Sequence, residues 1–425
     1  MRFLKQNRIF FILLFATILA NCSTNKLKST GVKSYVYDTK IKDLNPNFLI
    51  YHQSDSLSYL YFKIQTKELL YTRENSTKPF ESTVKIQYEI YETSRGKILI
   101  DSSSKELIDY KTVKGSKIII GRIPLKIMQG NNSVMRVVVE DLNKKVEVDE
   151  VIRINKTEKK SSQYFLMKSN NQICFDTYFD ENIRLEMESE MNKNSSMELQ
   201  VFYRKDKPAR PPFSRQNIFV FPDTADEFRP VSFVNGKAKF SLDSLASYFF
   251  KSRDSEKISF VLEKFNSNYN NIENYMGMIE PLKYISSTEE YLALQSANNK
   301  RKAIEDFWIK MGGSKGKAKL LISEYYRRVA GANKFFTSHK EGWKTDRGMV
   351  SIVFGMPNSI QKSKYSETWV YGNSHNMMLS LTFNFNKENA KILKNDFQLR
   401  RYRVFRNQWY RACESWRSGR AYNFN

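Results

Sequence analysis

The stretch Leu57-Ser-Tyr-Leu-Tyr-Phe-Lys-Ile64 sets the pattern for the first half of this 425-residue chain. Tyr59 and Tyr61 alternate with Leu60 and Phe62, and a period of two places one set of side chains on each face of a β-strand. Similar short runs surround it: Phe48–Tyr51, Val84–Tyr91, Ile98–Ile100, Ile118–Ile120, Val134–Val139 and Val146–Ile154. About seven strands at this spacing predict an antiparallel, immunoglobulin-like β-sandwich over residues 46–156.

A second all-β segment is predicted over residues 160–284. Its expected strands are Tyr164–Met167, Ile183–Met187, Met197–Tyr203, Ile218–Phe221, Val231–Phe240 and Ile258–Phe265. Asn235-Gly236 predicts a tight hairpin turn, because both residues tolerate a positive φ. The basic, Pro-rich run at 205–215 (KDKPARPPFSR) could dock in polyproline geometry, but a long connection between strands is the favoured interpretation. A second sandwich is therefore expected.

The periodicity changes at Ser287, where Ser-Thr-Glu-Glu has the form of a capping box that opens a helix. Apolar residues then recur at helical spacing. They are Ile304, Phe307, Trp308 and Met311, then Leu321, Tyr325 and Val329, then Phe405, Trp409, Ala412, Cys413 and Trp416. Met349–Phe354, Thr368–Tyr371 and Leu379–Phe385 are predicted strands. The whole chain is thus expected to be multidomain, mainly β and then α/β, with a small α/β domain of two helices, a sheet and a closing helix at 287–425.

Residues 341–358 (EGWKTDRGMVSIVFGMPN) are the most specific motif in the chain. Together with Glu367–Tyr371 and Trp416–Gly419, this segment resembles the signature of the GWxTD domain family, bacterial envelope proteins found widely in the Bacteroidota. The resemblance extends over about Thr288–Asn425. It implies an export signal followed by β-sandwich segments, and it implies no established reaction.

The motif is interpreted mainly as architecture. Trp343 is expected to be buried, and Thr345 and Asp346 to accept hydrogen bonds from backbone N–H groups of the following turn. The residues assigned to the motif are Gly342, Trp343, Thr345, Asp346, Arg347, Gly348, Gly355, Pro357 and Trp369. The catalytic alternative makes Asp346 a general acid or base, with His339 and Glu367 beside it in a pocket. The structural interpretation is favoured, because this set lacks a nucleophile and an orienting third group.

The N-terminus indicates export and lipidation. A basic start precedes the apolar run Ile9–Ala20, which is shorter than the roughly 20 residues that span a bilayer. Leu19-Ala20-Asn21-Cys22 resembles a lipobox, so residues 1–21 are a predicted lipoprotein signal peptide and Cys22 a predicted site of fatty acylation, such as palmitate. Residues 22–45 form a polar tether. By resemblance to bacterial lipoproteins, Ser23 after the cysteine implies the outer membrane, and the lack of acidic residues before Tyr37 implies its periplasmic face.

Charge is concentrated at the C-terminus. The chain carries a formal charge of +24, and residues 300–425 contain 25 Lys and Arg against 9 Asp and Glu, together with all five Trp. An anionic envelope partner (lipid, lipopolysaccharide or an acidic protein) and simple solvated helix faces are both open interpretations. Nucleic acid is not expected for an exported protein.

No cofactor or metal motif occurs in the sequence. Cys174 and Cys413 are expected to be free thiols, and the three histidines (His52, His339 and His375) show no ligand spacing. Two functions remain: a non-catalytic scaffold or interaction module in an envelope, secretion or assembly complex, or an envelope hydrolase acting on a cell-wall or lipid substrate.

Overall fold

The computed structural model describes residues 32–33 and 44–420, apart from 94–97, 112–114, 116, 131, 205–206, 216–217, 253–256, 267–273, 364, 373–379 and 388–394. The predicted signal peptide, Cys22, most of the tether and His375 lie outside the described residues. The chain is mainly β, with 41% strand and 25% helix, several antiparallel sheets and a C-terminal α/β region. This agrees with the fold class predicted from the sequence.

The first sandwich contains seven strands: β2 Asn47–His52, β3 Leu57–Gln65, β4 Glu81–Glu92, β5 Leu99–Tyr110, β6 Ile118–Lys126, β7 Asn132–Asp141 and β8 Val146–Asn155. They form two antiparallel sheets, in the orders β2-β3-β6 and β5-β4-β7-β8. Leu60 and Phe62 of β3 and Ile86 and Ile90 of β4 are fully buried in one core between the sheets. The alternation that predicts the strands therefore also identifies the core.

The second sandwich contains β9 Leu166–Ser169, β10 Gln172–Ile173, β11 Tyr178–Phe179, β12 Ile183–Glu188, β13 Ser196–Tyr203, β14 Glu227–Ser232, β15 Lys237–Leu242, β16 Ala246–Ser252 and β17 Ile258–Lys264. Its sheets have the orders β10-β9-β12-β15 and β11-β17-β16-β13-β14, with β11 parallel to β17. Asn235 and Gly236 have φ values of 50° and 78°, which confirms the turn. The turn joins strands of different sheets, so it carries the chain across the sandwich and does not form a simple hairpin.

The C-terminal domain packs helices on one five-stranded sheet. The helices are α1 Tyr275–Leu282, α2 Thr288–Ser296, α3 Lys300–Gly312, α4 Lys315–Phe336, α5 Asp346–Phe354 and α6 Phe405–Arg417. The strands are β1 Val32–Lys33, β18 Ser359–Lys362, β19 Ser366–Tyr371, β20 Leu381–Lys387 and β21 Phe397–Leu399, in the sheet order β1-β18-β19-β20-β21. Ser287 and Glu290 form the predicted capping box at the start of α2. Trp308, Trp369 and Trp416 are fully buried in the shared core.

Two predicted strands are wrong. Met349–Phe354 lies in α5, because Thr345 caps a helix there. All nine residues of α5 are buried, so its apolar run has no polar face to distinguish a helix from a buried strand. Ile218–Phe221 is irregular, and the Gln398 side chain bonds both the N–H and the C=O of Phe219. The domain also has more helices than the three expected.

The Pro-rich loop connects β13 to β14, as favoured, and it also docks on the C-terminal domain. Ala209 is 2% exposed and its N–H donates to the Lys344 carbonyl at 2.9 Å. Arg401 donates to the Pro211 carbonyl at 2.8 Å. Backbone contacts at several points along the loop therefore join the second sandwich to the segment that carries the motif.

Candidate functional site

The motif forms the start of a buried helix. A short 3-10 turn, Gly342–Lys344, leads to Thr345, whose hydroxyl accepts a hydrogen bond from the Gly348 N–H at 3.0 Å and donates to the Gly342 carbonyl at 2.7 Å. The sequence predicts that Thr345 accepts such a bond from the following turn, and in the structure that turn is the start of a helix, whose free N–H group Thr345 satisfies. The turn and helix α5 are thus locked together.

Two motif glycines are required by close backbone approach. A Cβ on Gly342 would lie 1.9 Å from the Ala332 carbonyl oxygen, and a Cβ on Gly348 would lie 1.9 Å from the Gly342 carbonyl oxygen. No side chain fits at such distances. The glycines let the motif turn pack directly on α4.

A third motif glycine, Gly355, ends α5, and glycine is favoured there by backbone conformation. Its φ is 83°, a conformation that favours glycine, and its carbonyl accepts the Tyr371 hydroxyl at 2.9 Å. Pro357 is buried in the turn that follows, before β18. The turn predicted at this point is present.

Trp343 is buried, 4% exposed, and its indole N–H donates to the Glu341 carboxylate. Its backbone N–H donates to Asn333 at 3.0 Å, and its carbonyl accepts the Tyr284 hydroxyl at 2.9 Å. Trp343 therefore joins α4 and the segment after α1 to the motif turn, through its backbone N–H and carbonyl groups.

Asp346 does not bond the following turn, in contrast to the prediction. Its carboxylate accepts the Leu399 N–H at 2.8 Å and pairs with Arg401. Burial lowers the pKa of Arg401, and the Asp346 charge opposes that shift. Since Arg401 also binds the Pro-rich loop, Asp346 holds together α5, β21 and the loop.

Arg347 and Glu367 form a second buried ion pair, at 3.1 Å, with side-chain exposures of 1% and 2%. The Arg347 guanidinium also lies 4.3 Å from the Phe397 ring centroid. Glu367 accepts the Trp369 indole N–H at 3.1 Å and pairs with Lys362 at 3.3 Å. Burial is the main cause that lowers the pKa of Lys362.

His339 has a separate environment. Its ring stacks on Phe219 at 4.2 Å, and its Nδ1 lies 3.6 Å from the Asp396 carboxylate. Burial, with the nearby charges of Lys340 and Arg204, holds the pKa of His339 well below its ordinary value, so the ring is neutral at pH 7. It lines a cavity whose wall includes neither Asp346 nor Glu367. The three catalytic candidates thus make separate sets of contacts.

Sequence reasoning assigned Arg347 to the motif but did not identify Arg328 and Arg401 as residues that organise this region. Arg328 is 4% exposed, pairs with Glu324 at 2.7 Å and lies 5.0 Å from the Trp416 ring centroid. The only sequence signal was the general excess of Arg. The Pro-rich loop was noticed but not assigned to this site.

Metal and redox features add little. Within the described ranges, no three His, Cys, Asp or Glu side chains are grouped to hold a metal ion. Cys174 and Cys413 are free thiols. His52 lies in the first sandwich, far from the motif in sequence, and its Nδ1 forms a hydrogen bond with the Ser58 hydroxyl at 2.8 Å.

None of the helices in the described part of the chain is long and apolar enough to cross a membrane.

Comparison with known proteins gives one family match. Residues 246–418 match the family described as GWxTD domain, and the match begins in β16 of the second sandwich, before the Thr288 start of the resemblance. No curated protein matches the chain.

Solved structures show only distant likeness. One is a calcium-binding mutant of Bacteroides uniformis beta-glucuronidase 2, with 10% identity and a TM-score of 0.18 over 33% of this chain and 14% of that one. Another is that enzyme covalently bound to cyclophellitol-6-carboxylate aziridine, with 9% identity and a TM-score of 0.19 over 38% of this chain and 16% of that one. The chain thus spans about a sixth or less of these enzymes.

Proposed function

The chain is a member of the GWxTD domain-containing family, with its domain at residues 246–418, and on that premise we propose that it is a non-catalytic scaffold in an envelope, secretion or assembly complex. In this proposal Cys22 is acylated, the protein faces the periplasm from the outer membrane, and the C-terminal domain docks an envelope protein.

The observation that carries the scaffold role is the pairing of the motif carboxylates. Asp346 is bound by Arg401 and the Leu399 N–H, and Glu367 by Arg347, Lys362 and Trp369. A general acid or base must reach a substrate proton, whereas both of these groups are buried and already bonded. The hydrolase alternative therefore finds no support in this arrangement.

A second observation indicates where a partner would dock. Residues 400–411 expose apolar and aromatic side chains among arginines: Tyr402 is 47% exposed, Val404 67% and Tyr410 57%. We call this set the arginine–tyrosine surface; it comprises Arg400, Tyr402, Arg403, Val404, Arg406, Tyr410 and Arg411. Tyr and Arg are the residues most enriched at the centres of protein interfaces, which favours a protein over a lipid partner.

Some of the Lys and Arg side chains in the C-terminal domain are already paired inside the protein and cannot bind a partner. Arg328, Arg347 and Arg401 are used in internal ion pairs. Arg400, Arg403 and Arg411 are exposed and form no ion pair with the described residues. Their charges are the part of the basic excess that complements an acidic partner.

The docking role is tested by charge reversal with a matched control. Arg400→Glu/Arg403→Glu/Arg411→Glu should lose a co-purifying envelope protein from gently solubilised membranes. Lys315→Glu/Lys317→Glu/Lys319→Glu, which makes the same charge change on exposed residues of α4, should retain it. Loss from both variants, or from neither, would contradict the proposal. Binding of the wild type to anionic phosphatidylglycerol vesicles, abolished by the first variant alone, would point to lipid instead.

The anchor is tested separately. Cys22→Ser should move the protein from the membrane to the soluble fraction, because the acyl chains supply the membrane affinity. Mass analysis of the wild-type N-terminus should find the acylated Cys22. A membrane-bound Cys22→Ser variant would overturn the anchor without affecting the docking test.

A further inference from the structure

A cavity of about 580 Å³ lies where the second sandwich meets the C-terminal domain. Its wall is formed by the end of β13, by the Pro-rich loop and the irregular segment after it, and by His339-Lys340 before the motif turn. Its volume is within the range of sites that enclose small molecules, roughly 300–1,000 Å³. Neither the scaffold role nor the motif uses it.

The inner part of the cavity is aromatic. Phe202 and Phe221 are buried, and their ring centroids are 5.4 Å apart. Phe219 lies flat on His339, with an interplanar angle of 15°, and meets Phe221 edge-on at 5.0 Å. These rings form a flat-sided apolar space that suits an acyl chain or an aryl group.

The outer part is cationic. The exposed Lys207, Arg210 and Arg215 of the loop line it together with Lys340, and Asp226 is the one carboxylate among the described residues of the wall. The Asp226 carboxylate accepts the Tyr203 N–H at 2.8 Å. The side chains of Lys207 and Arg215 form no ion pair with the residues that the structure describes. A positive rim over an apolar interior is the arrangement that an amphiphilic anion complements.

We propose that this cavity binds an amphiphilic anion, with a single acyl or aryl body between the phenylalanines and a carboxylate or phosphate head at the Lys207 and Arg215 rim. The volume limits the body to one chain or a small ring system. The rim rejects cations, and the head distinguishes the ligand from a neutral apolar molecule.

Calorimetric titration of the detergent-free full chain carrying Cys22→Ser tests this. Decanoate and decyl phosphate, below their micelle concentrations, are the two anionic probes, and tighter binding of one identifies the head group. Decanol and decyltrimethylammonium are the neutral and cationic controls, and both should bind at least about tenfold more weakly, the equivalent of 1.4 kcal/mol. Decanol binding as tightly as both anions would overturn the proposal.

The rim is tested by paired variants. Lys207→Gln/Arg215→Gln should weaken anion binding about tenfold, the combined effect of two exposed charges, and leave decanol binding unchanged. Lys317→Gln/Lys319→Gln on α4 removes the same charge outside the cavity and should bind like the parent. Circular dichroism verifies that both variants are folded. Equal affinity of the two variants, or no heat with either anion, would refute the site.

Discussion

At the scale of single residues, the motif contains charges that are buried and paired. Thr345 is predicted to accept a hydrogen bond from the following turn, and it accepts one from the Gly348 N–H, because its spacing to Gly348 is a local feature of the sequence; the helix that it caps was not predicted. Asp346 was given the same role, but it bonds Leu399 and Arg401, more than fifty positions away. A sequence shows which residues can cap a helix, and it does not show which distant strand reaches a buried carboxylate.

Arg347→Met should destabilise the C-terminal domain by about 3 kcal/mol, because it removes the buried cation of Glu367 and leaves that carboxylate paired with the partly exposed Lys362. The double variant Arg347→Met/Glu367→Gln should recover most of that loss, since the charge is gone and the Trp369 bond is kept. Urea unfolding followed by Trp fluorescence measures this domain, because all five Trp lie in it. Arg301→Met, in an exposed pair with Glu305 on α3 of the same domain, is the control and should cost less than about 1 kcal/mol. Equal effects of the buried and exposed changes would contradict the argument.

His52 gives a pH dependence to the first sandwich. Burial, and secondarily the charge of Lys156, lowers the pKa of His52 from 6.5 to about 4. Between those values the unfolded chain binds more protons than the folded one, so stability is complete above pH 6.5 and falls as the pH drops towards 4. The loss is on the order of 3 kcal/mol.

The His52→Gln variant should lack this part of the acid sensitivity. Urea unfolding followed by circular dichroism at pH 7, 5.5 and 4 should show the wild type approaching the variant as the pH falls. A stability difference between the two proteins that stays constant with pH would show that His52 is not the titrating group.

At the scale of elements, alternating patterns were predicted well and continuous apolar runs were not. Strand β4 has one partly solvated face, and its period of two is visible in the sequence. Helix α5 has none, so its run matched a buried strand equally well. Strand β16, also almost wholly buried, was missed for the same reason.

The packing of the motif turn on α4 predicts a contrast between two glycines. Gly342→Ala should cost about 3 kcal/mol, since its Cβ would overlap the Ala332 carbonyl. Gly316→Ala, on α4 with nothing within 4 Å of its Cβ, should be neutral or gain about 0.5 kcal/mol. Trp fluorescence in urea measures both. Equal midpoints for the two variants would show that the turn can move away from the helix.

At the scale of the whole molecule, the domains are joined by segments that a sequence reading treats as linkers. The Pro-rich loop contacts the C-terminal domain through backbone groups, which leave no side-chain pattern to recognise. The tether contributes β1, in which Val32 pairs with Ile360 of β18. Asn45 at its other end accepts a hydrogen bond from Lys334 at 2.9 Å.

This pairing predicts a cross-link. Val32→Cys/Ile360→Cys should form a disulfide under mild oxidation, because Cα partners in adjacent strands lie within the 4.4–6.8 Å that a disulfide spans, about 5 Å apart. Val32→Cys/Asn384→Cys places the second cysteine on β20, three strands from β1, and should not cross-link. Gel mobility with and without reductant distinguishes the two. Cross-linking of the control alone, or of neither protein, would contradict the register.

The edge strand β1 also determines when the C-terminal sheet can be completed during synthesis of the chain. Translation delivers the polypeptide from its amino end, so this strand emerges long before β18, the strand with which it pairs. It has no partner strand until both sandwich segments and helices α1 to α5 have been synthesised. The C-terminal sheet is therefore completed by a segment from near the start of the chain. A nascent chain that stalls before residue 359 lacks the strand with which Val32–Lys33 pairs.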